Sequence, residues 1–240
     1  MRIYLQVRSA HVTEVRGTVV AELPLSIYVN GERFVTLLCS PFQVDALVVG
    51  HLWMERVING IDDIVRIDVS EVDGRADVEL RRPRPALPPR PPRPEPLHST
   101  LRVTPAVVSA RIAELAGASV HYKVSRGIHS AALCDERGLL LVTEDVARRN
   151  ALDKLKGRGL LEGIPTEDRL LLSSGRISSE LLLRAARMGV PFVASRTSPT
   201  DMAIALAEAL NITVCGYVRP DGLNLYAGDA LILDRASTRP

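Results

Sequence analysis

Half of the sixteen prolines in this 240-residue chain fall between Pro83 and Pro96. Proline lacks a backbone N–H and fixes φ, so the stretch Arg81–Pro96, RRPRPALPPRPPRPEP, cannot run as a helix or an inner strand. Folded structure must therefore lie on either side of it, joined by a semi-rigid extended linker. A basic PxxP run can also serve as a recognition motif for another protein, which is the weaker reading here. The run carries five arginines and one glutamate, a charge of +4 against +2 for the whole chain, which leaves −2 for the rest. A nucleic-acid protein would show a basic face interleaved with aromatics, whereas only 4% of residues are aromatic and the positive charge is concentrated in one proline-rich run.

With 46% hydrophobic residues the chain is globular rather than disordered, and three cysteines are too few for a disulfide scaffold. Met1–Gly17 is broken by charged residues and has no signal-peptide core, and Ala46–Met54 is too short to span a membrane. An odd number of thiols without an export signal points to the cytoplasm.

Before the linker, Thr18–Ala21, Leu25–Val29 and Arg33–Cys39 have strand composition, with Asn30-Gly31 as a hairpin turn between the last two. Ser40-Pro41 predicts a helix start, with apolar positions continuing to Leu52, and Ile64–Val69 and Ala76–Leu80 are further strands around Asp73-Gly74. This is a small α+β domain over residues 1–80, followed by the linker at 81–97 and an α/β domain over 98–240. In the latter the spacing predicts helices Pro105–Leu115, Asp145–Lys156, Ser178–Met188 and Pro199–Leu210, with a loop at Gly157–Pro165. Strands are expected at Ala131–Leu133, Leu139–Val142, Arg169–Ser173, Val190–Ser195 and Ile212–Val218. Strands alternating with helices argue for a largely parallel sheet with ligands at its carboxyl edge.

Two turns at that edge could hold an anion. SSGRISSE, Ser173–Glu180, offers Arg176 and free amides, and SRTSPTD, Ser195–Asp201, offers Ser198 as N-cap before Pro199. Plain helix capping explains the same residues. TEDVARRNALDK, Thr143–Lys154, reads on spacing as a solvated helix face with i,i+4 pairs such as Glu144–Arg148 and Arg149–Asp153. His129 shows no partner, and Cys39, Cys134 and Cys215 sit singly in or beside apolar strands, as buried hydrophobes do. Walker A, GxGxxG, HExxH, CxxC and the zinc-deaminase signature are absent, so no metal site is expected.

Taken in order, EDVARRNALDK, SSGRISSE, SRTSPTDMAIALAE and TVCGYVRPDGLNLY resemble the formate dehydrogenase accessory protein family, FdhD. The opening segment agrees through Glu22-x-Pro24-Leu25-x-Ile27, Val29-Asn30-Gly31 and Ser40-Pro41, and the similarity runs from about Gly17 to Leu233, failing mainly between Asp73 and Ser119. The resemblance implies a cytidine-deaminase-like C-terminal domain without the deaminase zinc, a smaller α+β N-terminal domain and a homodimer. It implies a sulfur carrier that takes persulfide sulfur from a cysteine desulfurase and passes it to the molybdenum cofactor, bis-molybdopterin guanine dinucleotide, with molybdenum or tungsten, for formate dehydrogenase or a related enzyme. Cofactor binding then maps to Tyr217, Val218, Arg219, Pro220, Asp221 and Gly222, with Arg176 and the Ser198–Thr200 turn suited to the phosphates.

The chain also departs from that pattern. The family's cysteine pair belongs before the Pro105 helix, where this chain reads PEPLHSTLRVTP, and no catalytic residue is assigned. Ala147 and Arg149 replace the glycine and histidine of EDVGRHN, and Ser125-Arg126 replaces a Thr-Gly pair. Three expectations follow: a sulfurtransferase in which Cys39, Cys134 or Cys215 stands in, a cofactor-binding chaperone without sulfur chemistry, or a metal-dependent nucleotide-processing enzyme on the same fold.

Overall fold

The computed structural model describes residues 1–83 and 94–232, and the expected linker lies outside the described residues over 84–93. The chain opens with a hairpin that the sequence reading missed, β1 (Arg2–Arg8) paired antiparallel with β2 (His11–Gly17), in which the Tyr4 ring lies against Gly17. Thr18–Ala21, expected as strand, is the irregular link that follows.

The second sheet has the order β4-β3-β6-β5, from β3 (Leu23–Val29), β4 (Glu32–Cys39), β5 (Ile64–Ser70) and β6 (Arg75–Leu80). Asn30 and Gly31 both take positive φ, as a tight hairpin turn between right-twisted strands requires. Helix α1 (Val44–Met54) covers this sheet through Leu47, Val48 and Leu52. It starts later than Ser40-Pro41 predicts, because Ser40 is engaged elsewhere and Gln43, in a left-handed conformation, precedes the first turn.

The third sheet has the order β12-β11-β10-β9-β7-β8. Its strands are β7 (His129–Cys134), β8 (Leu139–Asp145), β9 (Leu170–Ser173), β10 (Phe192–Ser195), β11 (Thr213–Arg219) and β12 (Gly222–Ala227). The sheet is mixed, as the cytidine-deaminase-like expectation of a mixed, largely parallel sheet has it, but it is not largely parallel: only β9, β10 and β11 are mutually parallel, β7, β8 and β12 add antiparallel strands, and β12 was not anticipated. Alternation along β9 sends Leu170 and Leu172 towards α2 (Pro105–Ala118) on one face. Leu171 points to the opposite face, covered by α4 (Arg148–Glu162), α5 (Ser179–Arg187) and α6 (Asp201–Leu210). A short α3 (Val120–Ser125) follows α2 and ends on Arg126 at φ +53°, in the left-handed region.

Helix α4 departs most from expectation. Asp145 ends strand β8 instead of starting a helix, and the helix runs through Gly157 and Gly159 to Glu162. Gly157 does not terminate it, because it is the surface on which α1 lies. A Cβ on Gly157 would stand 1.8 Å from the Ala46 carbonyl oxygen, and one on Gly50 would stand 1.7 Å from that of Asp153. The two backbones therefore touch, which only reciprocal glycines permit.

Polar residues close the same seam. Asp145 and Lys154 are both fully buried and paired at 2.7 Å. The Asp145 carboxylate also accepts from Ser40 N (3.0 Å), Ala147 N (2.9 Å) and Asn150 Nδ2 (3.0 Å), while Asn150 donates to the Leu38 carbonyl (2.8 Å). One turn on, Asp153 bonds His51 Nδ1 at 2.9 Å and accepts from Arg184 Nε at 2.9 Å. Burial alone would raise the Asp153 carboxyl, but the His51 hydrogen bond and the Arg184 charge outweigh it and hold the group below its ordinary value. Thr143–Lys154 is thus not a solvated helix face. Asp145, Asp153 and Lys154 point into the junction between two sheets, and Arg149–Asp153 does not pair, since the exposed Arg149 reaches Glu55 and Glu180 instead.

Gly157→Ala is expected to destabilise the protein by about 3 kcal/mol or more, since the clash is with backbone and cannot be relieved by a rotamer change. Gly117→Ala in α2, where a Cβ meets open space, is expected to gain about 0.5–1 kcal/mol. Urea denaturation of both variants checks the pair, and equal effects would contradict the contact.

Candidate functional site at the carboxyl edge of the sheet

Strands β9, β10 and β11 end on one edge, where β7 also begins and β8 ends, because both run antiparallel to their neighbours. The two turns singled out in the sequence are joined there: Ile177 N donates to the Ser198 carbonyl (3.1 Å) and Thr200 N to the Ile177 carbonyl (2.9 Å). This bridge keeps Pro199 extended, so helix α6 is capped by Thr200, whose hydroxyl accepts from Ala203 N, and not by Ser198. Ser198 takes part through its carbonyl. The third segment is tied in by Tyr217 N donating to the Thr197 carbonyl at 3.2 Å. Tyr217 is at φ +50°, next to a register shift in β11, and its ring is exposed. This is the left-handed region, where a residue with a Cβ carries a local backbone cost.

A cavity of about 230 Å³ opens beside these turns. Arg196, Thr197 and Arg219 line it from the strand ends, with Ser130 and Ser174 from the neighbouring strands and Leu115 and Tyr122 from the helices above. Arg219 is anchored by donating to the Arg196 and Val218 carbonyls, both at 2.8 Å. Arg196, which the sequence reading did not single out, makes no ion pair among the described residues. Glu144 holds the roof: its carboxylate accepts from His121 N (2.9 Å), Tyr122 N (2.8 Å) and Ser130 Oγ (3.3 Å). Val218 is buried inside β11, while Pro220, Asp221 and Gly222 form the exposed turn into β12.

Arg176 is exposed and does not line that cavity. Its charge instead acts on Arg148, which lies with His129 against the Gly175 turn. His129 therefore has neighbours: burial first and Arg148 second push its imidazole below the ordinary histidine value. Ala147 takes an ordinary extended conformation at φ −102°, which any residue can adopt.

The three thiols lie elsewhere. Cys39, Cys134 and Cys215 are buried strand residues with no exposed surface. Burial pushes Cys39 up to about 11 and Cys134 and Cys215 up to about 12, so none presents a thiolate near neutral pH. Among the described residues no three His, Cys, Asp or Glu side chains are grouped to hold a metal ion, and no helix is long and apolar enough to cross a membrane.

The sequence profile of the FdhD/NarQ family matches residues 20–90 and 88–233. The sulfur carrier protein FdhD of Bacillus subtilis is 36% identical over 247 aligned residues, covering 90% of each chain. Its namesake from Bacillus pumilus is 37% identical over 262, covering 94% of each. In structure, a candidate formate dehydrogenase accessory protein from Desulfotalea psychrophila matches with a TM-score of 0.85 at 27% identity, covering 97% of this chain and 98% of that one.

Burial makes a direct prediction for the thiols. A disulfide reagent such as 5,5′-dithiobis(2-nitrobenzoate) at pH 8 should label none of them until denaturant unfolds the chain; rapid labelling of one native thiol would contradict their placement.

Proposed function

The chain belongs to the FdhD/NarQ family, and on that premise we propose that it is an accessory protein for formate dehydrogenase or a related molybdo- or tungsto-enzyme, binding the guanine dinucleotide cofactor as cargo. The observation that carries the reading is the carboxyl edge itself. Arg176, Arg196 and Arg219 stand there without a carboxylate partner among the described residues, and the exposed Tyr217 is tied to the same edge through its backbone bond to Thr197. Guanidinium forks match phosphate oxygens, and a tyrosine face can stack on a base. Tyr217–Gly222, Arg176 and the Ser198–Thr200 turn are the residues assigned to the cargo, Thr200 through its helix start and Ser198 through its backbone.

Between the two sulfur readings, the thiols favour a cofactor-binding chaperone without persulfide chemistry of its own. Segment 94–104 contains no cysteine, and a persulfide needs an accessible thiolate that none of the three can supply. A cysteine desulfurase would then deliver sulfur to the cofactor without loading this chain. A cytoplasmic homodimer, the division at 81–97 and a cytidine-deaminase-like second domain belong to the same reading.

Calorimetric titration with GDP tests the cargo site. Wild type should bind, and Arg219→Ala should weaken binding at least tenfold, in line with about 1.5–3 kcal/mol for a charge-assisted hydrogen bond; a wild-type protein without affinity for GDP overturns the proposal. Replacing all three cysteines by alanine should leave GDP binding and formate dehydrogenase maturation intact. Loss of maturation by that folded variant would show that a thiol is used.

A further inference from the structure

Across the Gly175 turn from the Arg196/Arg219 cavity lies a second group of cations. A Cβ on Gly175 would stand 2.6 Å from Arg148 Nε and 3.1 Å from His129 Nδ1, so the glycine makes room for both side chains. Arg148 Nε is buried without a hydrogen-bond partner, and no other donor of that guanidinium is bonded among the described residues. The nearest carboxylates are committed elsewhere. Asp145 is taken up by Lys154, Ser40, Ala147 and Asn150, and Glu180 reaches Arg149 (3.6 Å) and Arg184 (3.8 Å). Helix α4 starts at Arg148 itself, with no side-chain cap on Ala147 and no acidic residue in its first turn. Glu180 acts on Arg148, and Asp145 on His129, only through space, so two arginines and a histidine gather at the Gly175 turn without a directly bonded carboxylate, and an anion joining them would relieve the crowding.

We propose that Arg148, Arg176 and His129 form a second oxyanion subsite, distinct from the Arg196/Arg219 cavity, that takes a separate phosphate group of the bound ligand. It rests on the reading of this edge as a site for a phosphate-bearing ligand and adds that the ligand is gripped at two anionic points on opposite sides of the Gly175 turn. Arg148 supplies a partly buried guanidinium with an unpartnered Nε, Arg176 the solvent-facing one, and His129 gains a proton or donates its own as the anion arrives.

Inorganic pyrophosphate is the probe. Full-length wild type titrated by calorimetry should bind two equivalents, and saturation should shift the His129 ring signals in NMR spectra and raise its pKa. Arg148→Gln should keep one equivalent, lose the His129 response and, relieved of repulsion, melt no lower than wild type without ligand. Arg219→Ala should also keep one equivalent but retain the His129 response. Two equivalents in Arg148→Gln, or an unmoved His129 in saturated wild type, overturn the second subsite. A single wild-type equivalent that vanishes in Arg219→Ala overturns it while leaving the cargo site standing, and no binding at all overturns both.

Discussion

The contact between α1 and α4 is the constraint on which the rest of the structure depends. Two glycines let the helix backbones touch, and the buried Asp145–Lys154 pair joins the chain just after β4 to the end of β8. A buried pair of this kind is weak evidence for net stability, since desolvation offsets much of its attraction. Its value is in specifying one arrangement: with Asp145 accepting from Ser40, Ala147, Asn150 and Lys154 together, few displaced packings of the two sheets would satisfy every group. The seam is polar where a domain core would be apolar, so it fixes register as well as proximity.

That register bears on function because Asp145 and Asn150 flank Arg148, and Glu144 next to them carries the roof of the cavity. The residues holding the two sheets together and those lining the cationic edge are neighbours along a single strand-to-helix turn. A shift at the seam would therefore move the start of α4 and the α3 segment held by Glu144. Arg149 ties the same turn to Glu55 and Glu180. Arg126, at the end of the α3 segment, keeps a left-handed backbone at a cost of about 1 kcal/mol.

Much of the fold was legible in the residues. Period-two and period-3.6 patterns placed β3, β4, α1, α2, β7 and every element from β9 to β11, and Asn30-Gly31 marked its turn. The misses at the seam share a cause. Asp145, Asp153 and Lys154 look solvated because charge spacing along one helix is local, while their partners Ser40 and His51 are some hundred residues away. Gly157 looks like a helix end because glycine usually is one, and only the facing Gly50 shows otherwise. At the site, the two turns and Tyr217–Gly222 were legible as helix starts and as a family motif. Arg196 and Arg148 were not, since an arginine's lack of a partner is a three-dimensional property.

Trp53, the single tryptophan, packs against the apolar clusters on both sides of the seam, and the cations of Lys156 and Arg187 lie over its ring at 4.2 and 4.7 Å. Equilibrium denaturation of wild type and Lys154→Met, followed by Trp53 fluorescence and far-ultraviolet circular dichroism, tests the seam most directly. A buried carboxylate stripped of its partner should cost about 3–5 kcal/mol, with both signals of the wild type moving in one coincident transition. Separate transitions in the wild type, or a Lys154→Met variant within about 0.5 kcal/mol of it, would contradict the account.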